Sequence, residues 1–251
     1  KGAALYLAEK GMASAITLFA RRQELLEELA NSMKDKFPSV KTLVVVGDAS
    51  KAEDNKRMVD ETVAAFGALH GIFINAGVYA GGTPIHDTPD DVIDKNIDVN
   101  IKGVIYGMRY AIPAIKTTVG EEGPTGSIVV NSSTMAASVI GPKSIGSSMY
   151  SASKAFCNSL VETAAIENAP RIRVNTVMPG LVQTNTIPVD EATYDVIAKD
   201  IQPLWGRAGK PAEVAALVAF LLSDEASLIS GTHIKADGLW SMAGGAFPEQ
   251  F

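Results

Sequence analysis

The sequence is poor in the residues that build disulfide frameworks and metal sites. Its 251 residues include one cysteine, Cys157, and three histidines. A single thiol cannot close an internal disulfide, and His70, His86 and His233 do not stand at zinc-ligand spacings with that cysteine. We therefore expect no metal site, and the cysteine usage favours a reducing compartment such as the cytoplasm.

Long basic runs and long apolar runs are also missing. The formal net charge is −6, and no run of basic residues is longer than a pair such as Arg21-Arg22. The sequence therefore lacks the basic patch that a nucleic-acid or anionic-membrane partner would require. Apolar stretches such as residues 214–222 are far shorter than a membrane span. Small molecules are the expected partners of this protein.

Short apolar stretches alternate with amphipathic stretches along the chain. Strands separated by helices indicate a parallel sheet with helices on both faces, and 47% hydrophobic residues can fill a substantial core. We predict a single Rossmann-like, doubly wound α/β domain with three α/β/α layers over residues 1–251, with a substrate lid at residues 184–207. The predicted strands are residues 15–20, 41–46, 71–75, 127–131, 173–177 and 233–236, and the predicted helices are residues 22–37, 53–66, 89–115 with a break near Asn100, the segment around Tyr150, and 212–222.

Tyr150 and Lys154 form the most informative pair in the sequence. They are four residues apart, which places a phenol and an ammonium group on one face of a helix. The phenol has an ordinary pKa of about 10, and a positive charge at about 4 Å can lower it by several units. The pair therefore predicts a tyrosine that exchanges protons near neutral pH.

Polar or small residues follow most of the predicted strands. In open parallel sheets, ligands bind outside the carboxyl ends of the strands. We therefore expect these segments to line one edge of the sheet and to form a ligand site. They are Ala20-Arg21, Asp48, Asn75-Ala76-Gly77, Ser132-Ser133 and Pro179-Gly180.

These elements, in this order, resemble the short-chain dehydrogenase/reductase family over the whole chain. The resemblance is carried by Asn75-Ala76-Gly77, by Asn100 within residues 98–103, by the serines after residues 126–131, by Tyr150 with Lys154, and by Pro179-Gly180. It implies hydride transfer between a nicotinamide and a ketone or secondary alcohol. It also implies a homo-oligomer, commonly a dimer or tetramer.

The resemblance assigns catalytic roles to four positions. Tyr150 is the expected general acid/base and also an expected contact of the cofactor. Lys154 is the expected ligand of the nicotinamide ribose, and Asn100 the anchor of a proton-relay water. A serine hydroxyl donates to the developing oxyanion. Alignment on the preceding strand selects Ser133, and the alternatives are Ser132 and Ser138.

The spacing to the serine departs from the family pattern. Ser133 lies 17 residues before Tyr150, a longer separation than is common in the family. Residues 141–146 have the composition of an inserted loop, which would account for the difference.

The expected cofactor is NADP rather than NAD. Ala20 stands where a carboxylate would bind a free ribose 2′-hydroxyl, and Arg21, next to Arg22, can neutralise a 2′-phosphate. The resemblance also implies which residues contact the rest of the cofactor. Asp48 is expected at the adenine, Asn75, Ala76 and Gly77 at the adenosine ribose, and Pro179, Gly180, Val182 and Thr184 at the nicotinamide.

One family element is missing from the sequence. The first strand and its glycine-rich turn, which holds the pyrophosphate, are expected immediately before Lys1. Any targeting peptide would also precede that residue. A sheet without this strand is expected to leave unpaired backbone groups on both neighbouring strands.

Two other functions compete with the ketone reductase. A 3-oxoacyl-thioester reductase would use basic residues such as Arg109, Lys116 and Arg207 for the phosphate of its carrier. A non-catalytic binding or scaffold protein could share the fold, because fold alone does not fix function. The presence of Asn100 and the Tyr150–Lys154 pair favours the enzyme.

Overall fold

The computed structural model describes residues 1–121, 125–138, 146–184 and 190–243. These ranges contain six strands and nine α-helices, and most of their bounds lie within two residues of the predicted ones. The strands are β1 (Ala15–Ala20), β2 (Lys41–Val46), β3 (Gly71–Ile74), β4 (Gly126–Asn131), β5 (Ile172–Pro179) and β6 (His233–Ala236). The helices are α1 (Gly2–Glu9), α2 (Gln23–Lys36), α3 (Ala52–Phe66), α4 (Asp90–Asn96), α5 (Gly103–Val119), α6 (Ser148–Asn168), α7 (Glu191–Ile201), α8 (Pro211–Leu222) and α9 (Trp240–Ala243).

The strands form two parallel sheets within the described ranges. β1 pairs with β2 from Ala15↔Lys41 to Ala20↔Val46, and the larger sheet has the order β3-β4-β5-β6. No ladder joins β1 to β3 in this part of the chain. The doubly wound strand order 3-2-1-4-5-6 places its first strand between these two neighbours. The gap between the two sheets therefore lies at the position where the resemblance predicts the first strand of the family.

Helices cover both faces of the strands. On one face, α3, α5 and α6 bury a single core against both sheets, in which Met58, Met108 and Val161 pack with Val45 of β2 and Ile128 of β4. On the other face lie α1, α2 and α8, and α1 also contacts α8. The predicted Rossmann-like, three-layer α/β/α fold class is confirmed.

The long predicted helix at residues 89–115 is divided by a wider turn. α4 ends at Asn96, a π-helical segment runs from Ile97–Lys102, and α5 continues from Gly103. π-Helical turns often occur at functional sites because they redirect a side chain from the regular helical face. Here the turn contains Asn100, which is fully buried, so the predicted break near this residue is confirmed.

The segment predicted as a lid, residues 184–207, contains α7. Its buried face, formed by Tyr194, Ala198 and Ile201, packs against Leu181 and Ala208. Residues 185–189 lie outside the described residues, and a lid function stays a prediction. Among the helices of the described ranges, none has the length and apolarity to cross a membrane.

Candidate active site

Tyr150 lies in the first turn of α6, opposite the carboxyl end of β4. The side chain of Ser133, two residues after that strand, lies near the Tyr150 phenol and acts to lower its pKa. The other two candidate serines have different partners. Ser132 Oγ donates to the Lys154 carbonyl oxygen at 3.1 Å, and Ser138 Oγ donates to the Ser241 carbonyl oxygen at 3.5 Å. The structure therefore brings Ser133, the serine selected by alignment, to Tyr150. The predicted inserted loop lies, apart from Gly146, outside the described residues.

Lys154 lies one helical turn after Tyr150 and is only 2% exposed. Its Nζ donates to the Asn131 carbonyl oxygen at 2.8 Å and lies 5.8 Å from the centroid of the Tyr150 ring. An ammonium group has three donors, and no second hydrogen-bond partner for this one is found among the described residues. Tyr150 and Lys154 therefore lie on one face of α6, as predicted. Lys154 Nζ also keeps donors that are available for a ligand.

The direction of the Tyr150 pKa differs from the one predicted from the sequence. Burial raises this pKa above its ordinary value, the Ser133 hydroxyl acts in the opposite direction, and the neighbouring Tyr79 raises it further. Burial also lowers the pKa of Lys154. The prediction of a phenol that titrates near neutral pH was wrong for this structure, because low-dielectric surroundings disfavour the charged form of both groups.

Asn100 holds together three segments of the site. Its Oδ1 accepts from the Val78 N–H at 2.9 Å, and its Nδ2 donates to the Val78 carbonyl oxygen at 3.0 Å. Nδ2 also lies 3.0 Å from Ser153 Oγ and 3.3 Å from Asn96 Oδ1. The side chain therefore fixes the loop after β3 against α6. Its predicted role as anchor of a relay water is not tested by this geometry.

Gly77 is located where two of these polar groups meet. A Cβ atom added at this position would lie 3.1 Å from Lys154 Nζ and 3.4 Å from Asn100 Oδ1. Such contacts are tight for a side chain, so glycine at this position leaves free space beside Lys154 Nζ. Asn75 and Gly77 are exposed at the same edge of the sheet, and Ala76 between them is half-buried.

Tyr79 belongs to the site, although the sequence analysis did not single it out as a site residue. Its ring packs edge-on against the Tyr150 ring, with centroids 5.0 Å apart and an interplanar angle of 63°. The Tyr79 hydroxyl lies 2.9 Å from Ser147 Oγ. A lone tyrosine in a loop carries no periodic signal, and only the proximity of the loop to α6 identifies it.

The predicted adenosine end contains an ionic cluster after β1 and β2. Arg21 and Arg22 are exposed at the carboxyl end of β1. Asp48 accepts hydrogen bonds from the Ser50 N–H and hydroxyl at 2.9 and 2.8 Å. Burial tends to raise the pKa of Asp48, but these bonds and the charges of Arg21 and Lys51 outweigh it and lower the pKa. Arg21 is thus close enough to Asp48 for its positive charge to favour the ionised carboxylate.

The predicted nicotinamide loop is held by a buried glutamine. β5 ends at Pro179, and the Gly180 N–H donates to the Ala236 carbonyl oxygen at 3.1 Å. Gln202 Oε1 accepts from the Leu181 N–H at 2.6 Å, and its Nε2 donates to the Leu181 carbonyl oxygen at 3.1 Å. A Cβ atom at Gly180 would collide with Gln202 Oε1, so the loop needs glycine there.

The remaining two residues of that loop have different environments. Val182 forms a parallel bridge with Gly209 and lines a cavity of about 340 Å³ with Gln202 and Trp205. The Thr184 carbonyl oxygen accepts from the Tyr194 hydroxyl at 2.6 Å. The sequence analysis did not identify Gln202, because a glutamine at a helix end gives no distinctive pattern.

A buried carboxylate supports the segment that carries Ser133. Asp237, after β6, accepts from the Thr134 hydroxyl at 2.7 Å and from the Ser241 and Leu239 N–H groups at 3.0 and 3.1 Å. Burial acts to raise the Asp237 pKa, but these hydrogen bonds lower it. The carboxylate therefore connects the end of the second sheet to the loop next to Tyr150.

The basic residues considered for a carrier phosphate do not have a common geometry. Arg207 forms two hydrogen bonds with Glu213, at 3.0 and 2.7 Å, and this pairing lowers the Glu213 pKa to about 2. Arg109 lies over the Tyr110 ring, 5.7 Å from its centroid. Lys116 is in the last turn of α5. Nothing in these contacts favours the thioester reductase.

Known proteins match this arrangement over almost the whole chain. A family model described as "Enoyl-(Acyl carrier protein) reductase" matches residues 1–239. Cyclohexanol dehydrogenase of Acinetobacter sp. (strain SE19) is 34% identical over 96% of this chain and 90% of its own length. Human dehydrogenase/reductase SDR family member 4 is 31% identical over 89% of this chain and 77% of its own length. The protein belongs to the short-chain dehydrogenase/reductase family.

Other family members are similar in sequence or in structure. The 3beta-hydroxysteroid dehydrogenase 2 of Eggerthella lenta is 33% identical over 89% of this chain and 81% of its own length. The crystal structure of levodione reductase superimposes with a TM-score of 0.84 at 26% identity, covering 96% of this chain and 93% of that one. NADPH-dependent 3-quinuclidinone reductase from Rhodotorula rubra gives a TM-score of 0.83 at 26% identity, covering 94% of this chain and 85% of that one. As a short-chain dehydrogenase/reductase, the protein is an oxidoreductase of a family that acts on alcohols and ketones with a nicotinamide cofactor.

Proposed function

We propose that this short-chain dehydrogenase/reductase is an NADP-dependent enzyme that transfers hydride between nicotinamide and a ketone or secondary alcohol, with Tyr150 as general acid/base. The observation that carries the proposal is the interaction of the Ser133 hydroxyl with the Tyr150 phenol, beside the buried Lys154. These three groups provide a proton donor, an oxyanion donor and a ribose ligand in one place.

The residues present fit the two ends of a nicotinamide nucleotide, the nicotinamide ribose and the adenosine 2′-phosphate. The bare Cα of Gly77 leaves room beside Lys154 Nζ, which keeps donors for ribose hydroxyl groups. Arg21 is exposed after β1, where it can pair with a 2′-phosphate through two N–H groups. The name of the Rhodotorula reductase, which includes NADPH dependence, supports the same choice of cofactor.

The chain contributes proton transfer and orientation. NADPH, when bound, would supply a hydride to the carbonyl carbon. Tyr150 gives its proton to the carbonyl oxygen in the same step, and solvent then restores the phenol. Ser133 hydrogen-bonds to that oxygen while negative charge develops on it, and Asn100 holds the Val78 loop against α6. In the reverse direction, the ionised phenol removes the hydroxyl proton of the alcohol.

The relatives suggest the kind of carbonyl compound. Cyclohexanol and 3beta-hydroxysteroid are ring alcohols, and quinuclidinone is a ring ketone. A cyclic secondary alcohol or its ketone is therefore the substrate class that we propose for this protein. A homo-oligomer is proposed as well, on the family resemblance alone.

Nucleotide binding tests the proposal before any substrate is known. The protein is titrated with NADPH and separately with NADH, following nicotinamide fluorescence. Tight binding of NADPH with weaker binding of NADH supports the proposed site. If the folded protein binds neither nucleotide, the proposed function fails, and the non-catalytic alternative takes its place.

A further inference from the structure

The loop that carries Tyr79 is fixed on both sides of this residue. Before it, Val78 is held by both polar atoms of the Asn100 amide. After it, the Ala80 carbonyl oxygen accepts from Asn96 Nδ2 at 2.9 Å. The Gly82 N–H then donates to the Gly146 carbonyl oxygen at 3.0 Å. The backbone around Tyr79 therefore has a defined position relative to α6.

The Tyr79 side chain is fixed as well, but its ring is not covered. Its hydroxyl is hydrogen-bonded with Ser147, which is 1% exposed, whereas the whole residue is 46% exposed. The ring edge packs on Tyr150, in the geometry that aromatic pairs prefer. What Tyr79 offers to a ligand is thus an apolar ring surface, placed 5.0 Å from the ring of the proposed acid.

A substrate that reaches the Tyr150 hydroxyl must place its carbon skeleton near this surface. We propose that Tyr79 is a specificity-determining residue that packs against the carbon ring of a cyclic ketone or alcohol and aligns its oxygen with Tyr150. A ring suits this contact because it presents a broad apolar face and has little internal freedom to lose on binding. The inference rests on the proposed function and adds the residue that selects the substrate.

Two substitutions separate the ring of Tyr79 from its hydroxyl. Tyr79→Leu removes the aromatic face, and Tyr79→Phe keeps it while removing the bond to Ser147. Tyr106→Leu, on α5 and outside the site, is the matched control for loss of a tyrosine. Each variant is assayed with NADPH and two ketones of equal carbon number, cyclohexanone and 2-hexanone, after its thermal unfolding has been shown to match the wild type.

The ratio of kcat/KM for the two ketones is the decisive quantity. We expect Tyr79→Leu to lower kcat/KM for cyclohexanone about three- to tenfold, the range of one aromatic contact, and to leave 2-hexanone within about twofold. Tyr79→Phe and the control should keep the wild-type ratio.

If Tyr79→Leu lowers kcat/KM equally for both ketones, or for neither, the proposed role of Tyr79 is overturned. Wild-type turnover of 2-hexanone without turnover of cyclohexanone would overturn it as well. In all these cases the proposed oxidoreductase stands if NADPH is consumed with either ketone. If the wild type binds no nucleotide and reduces neither ketone, the proposed function and this inference fail together.

Discussion

The Ser133 hydroxyl interacts with the Tyr150 phenol, and this contact joins the loop after β4 to the first turn of α6. The neighbouring serine points elsewhere, since Ser132 donates to the backbone of Lys154. This difference separates two adjacent serines that the sequence left as alternatives. It also determines which variants distinguish a role in chemistry from a role in stability.

Replacing the three serines one at a time should give three different results. Ser133→Ala is expected to lower kcat for ketone reduction about 100-fold, the lower range for loss of an oxyanion donor. Ser132→Ala should chiefly reduce the free energy of unfolding, by about 1 kcal/mol. Ser138→Ala should change neither quantity much. Steady-state kinetics and urea unfolding measure the two effects. A larger loss of kcat in Ser132→Ala than in Ser133→Ala would reverse the assignment.

The raised pKa of Tyr150 predicts the pH dependence of each direction. A phenol whose pKa exceeds its ordinary value of about 10 stays protonated at neutral pH and can donate. The kcat/KM for ketone reduction should therefore be constant through neutral pH and fall only as pH approaches the Tyr150 pKa. Alcohol oxidation needs the ionised phenol, so its kcat/KM should rise with pH over the neutral range. Reduction that is lost between about pH 6 and 8 would contradict the pKa direction.

Arg21 should control the preference for the phosphorylated cofactor. In Arg21→Asp the 2′-phosphate of NADPH would meet a carboxylate instead of a guanidinium group. We expect the Kd of NADPH to rise at least about tenfold, while NADH binds as well as before or better. Arg22→Ala, at the adjacent exposed position, is the comparison variant, and nicotinamide fluorescence gives both constants. An unchanged NADPH Kd in Arg21→Asp would remove the basis for NADP preference.

Thr134 and Asp237 should stabilise the fold in a pH-dependent manner. The Thr134 hydroxyl donates to a buried carboxylate, so Thr134→Val should cost about 1.5–3 kcal/mol of unfolding free energy at pH 7. The folded-state pKa of Asp237 is lowered, so its contribution is present above the unfolded-state pKa of about 4 and is lost as pH falls from there through the lower folded-state pKa. The difference between wild type and variant, from urea unfolding at several pH values, should shrink in acid. If the difference in unfolding free energy does not change with pH, ionised Asp237 is not the acceptor of the Thr134 hydrogen bond.

The sequence predicted those features that depend on local pattern. β1, β2 and β6 have the predicted bounds, because apolar runs between helices define buried parallel strands. Alignment with the resembled family selected Ser133, and the structure places this serine beside Tyr150. The break near Asn100 was predicted too, although its π-helical form was not.

The features that the sequence predicted wrongly, or did not predict, depend on tertiary contacts. The Tyr150 pKa was predicted from one neighbouring charge, but burial by distant segments reversed its direction. Tyr79 enters the site because Asn100 and Asn96 hold its loop against α6, and neither contact has a sequence signal. Asp237 follows the last strand and meets Thr134 only through the sheet order.

The most direct test of the account is Tyr150→Phe, assayed for NADPH oxidation with cyclohexanone and for NADPH binding in the same preparation. We predict that kcat falls about 100- to 10,000-fold, the contribution of a general acid, while the Kd of NADPH stays within about threefold because Lys154 and Gly77 are unchanged. Wild-type turnover in this variant, with normal nucleotide binding, would show that Tyr150 is not the proton donor and would contradict the central claim.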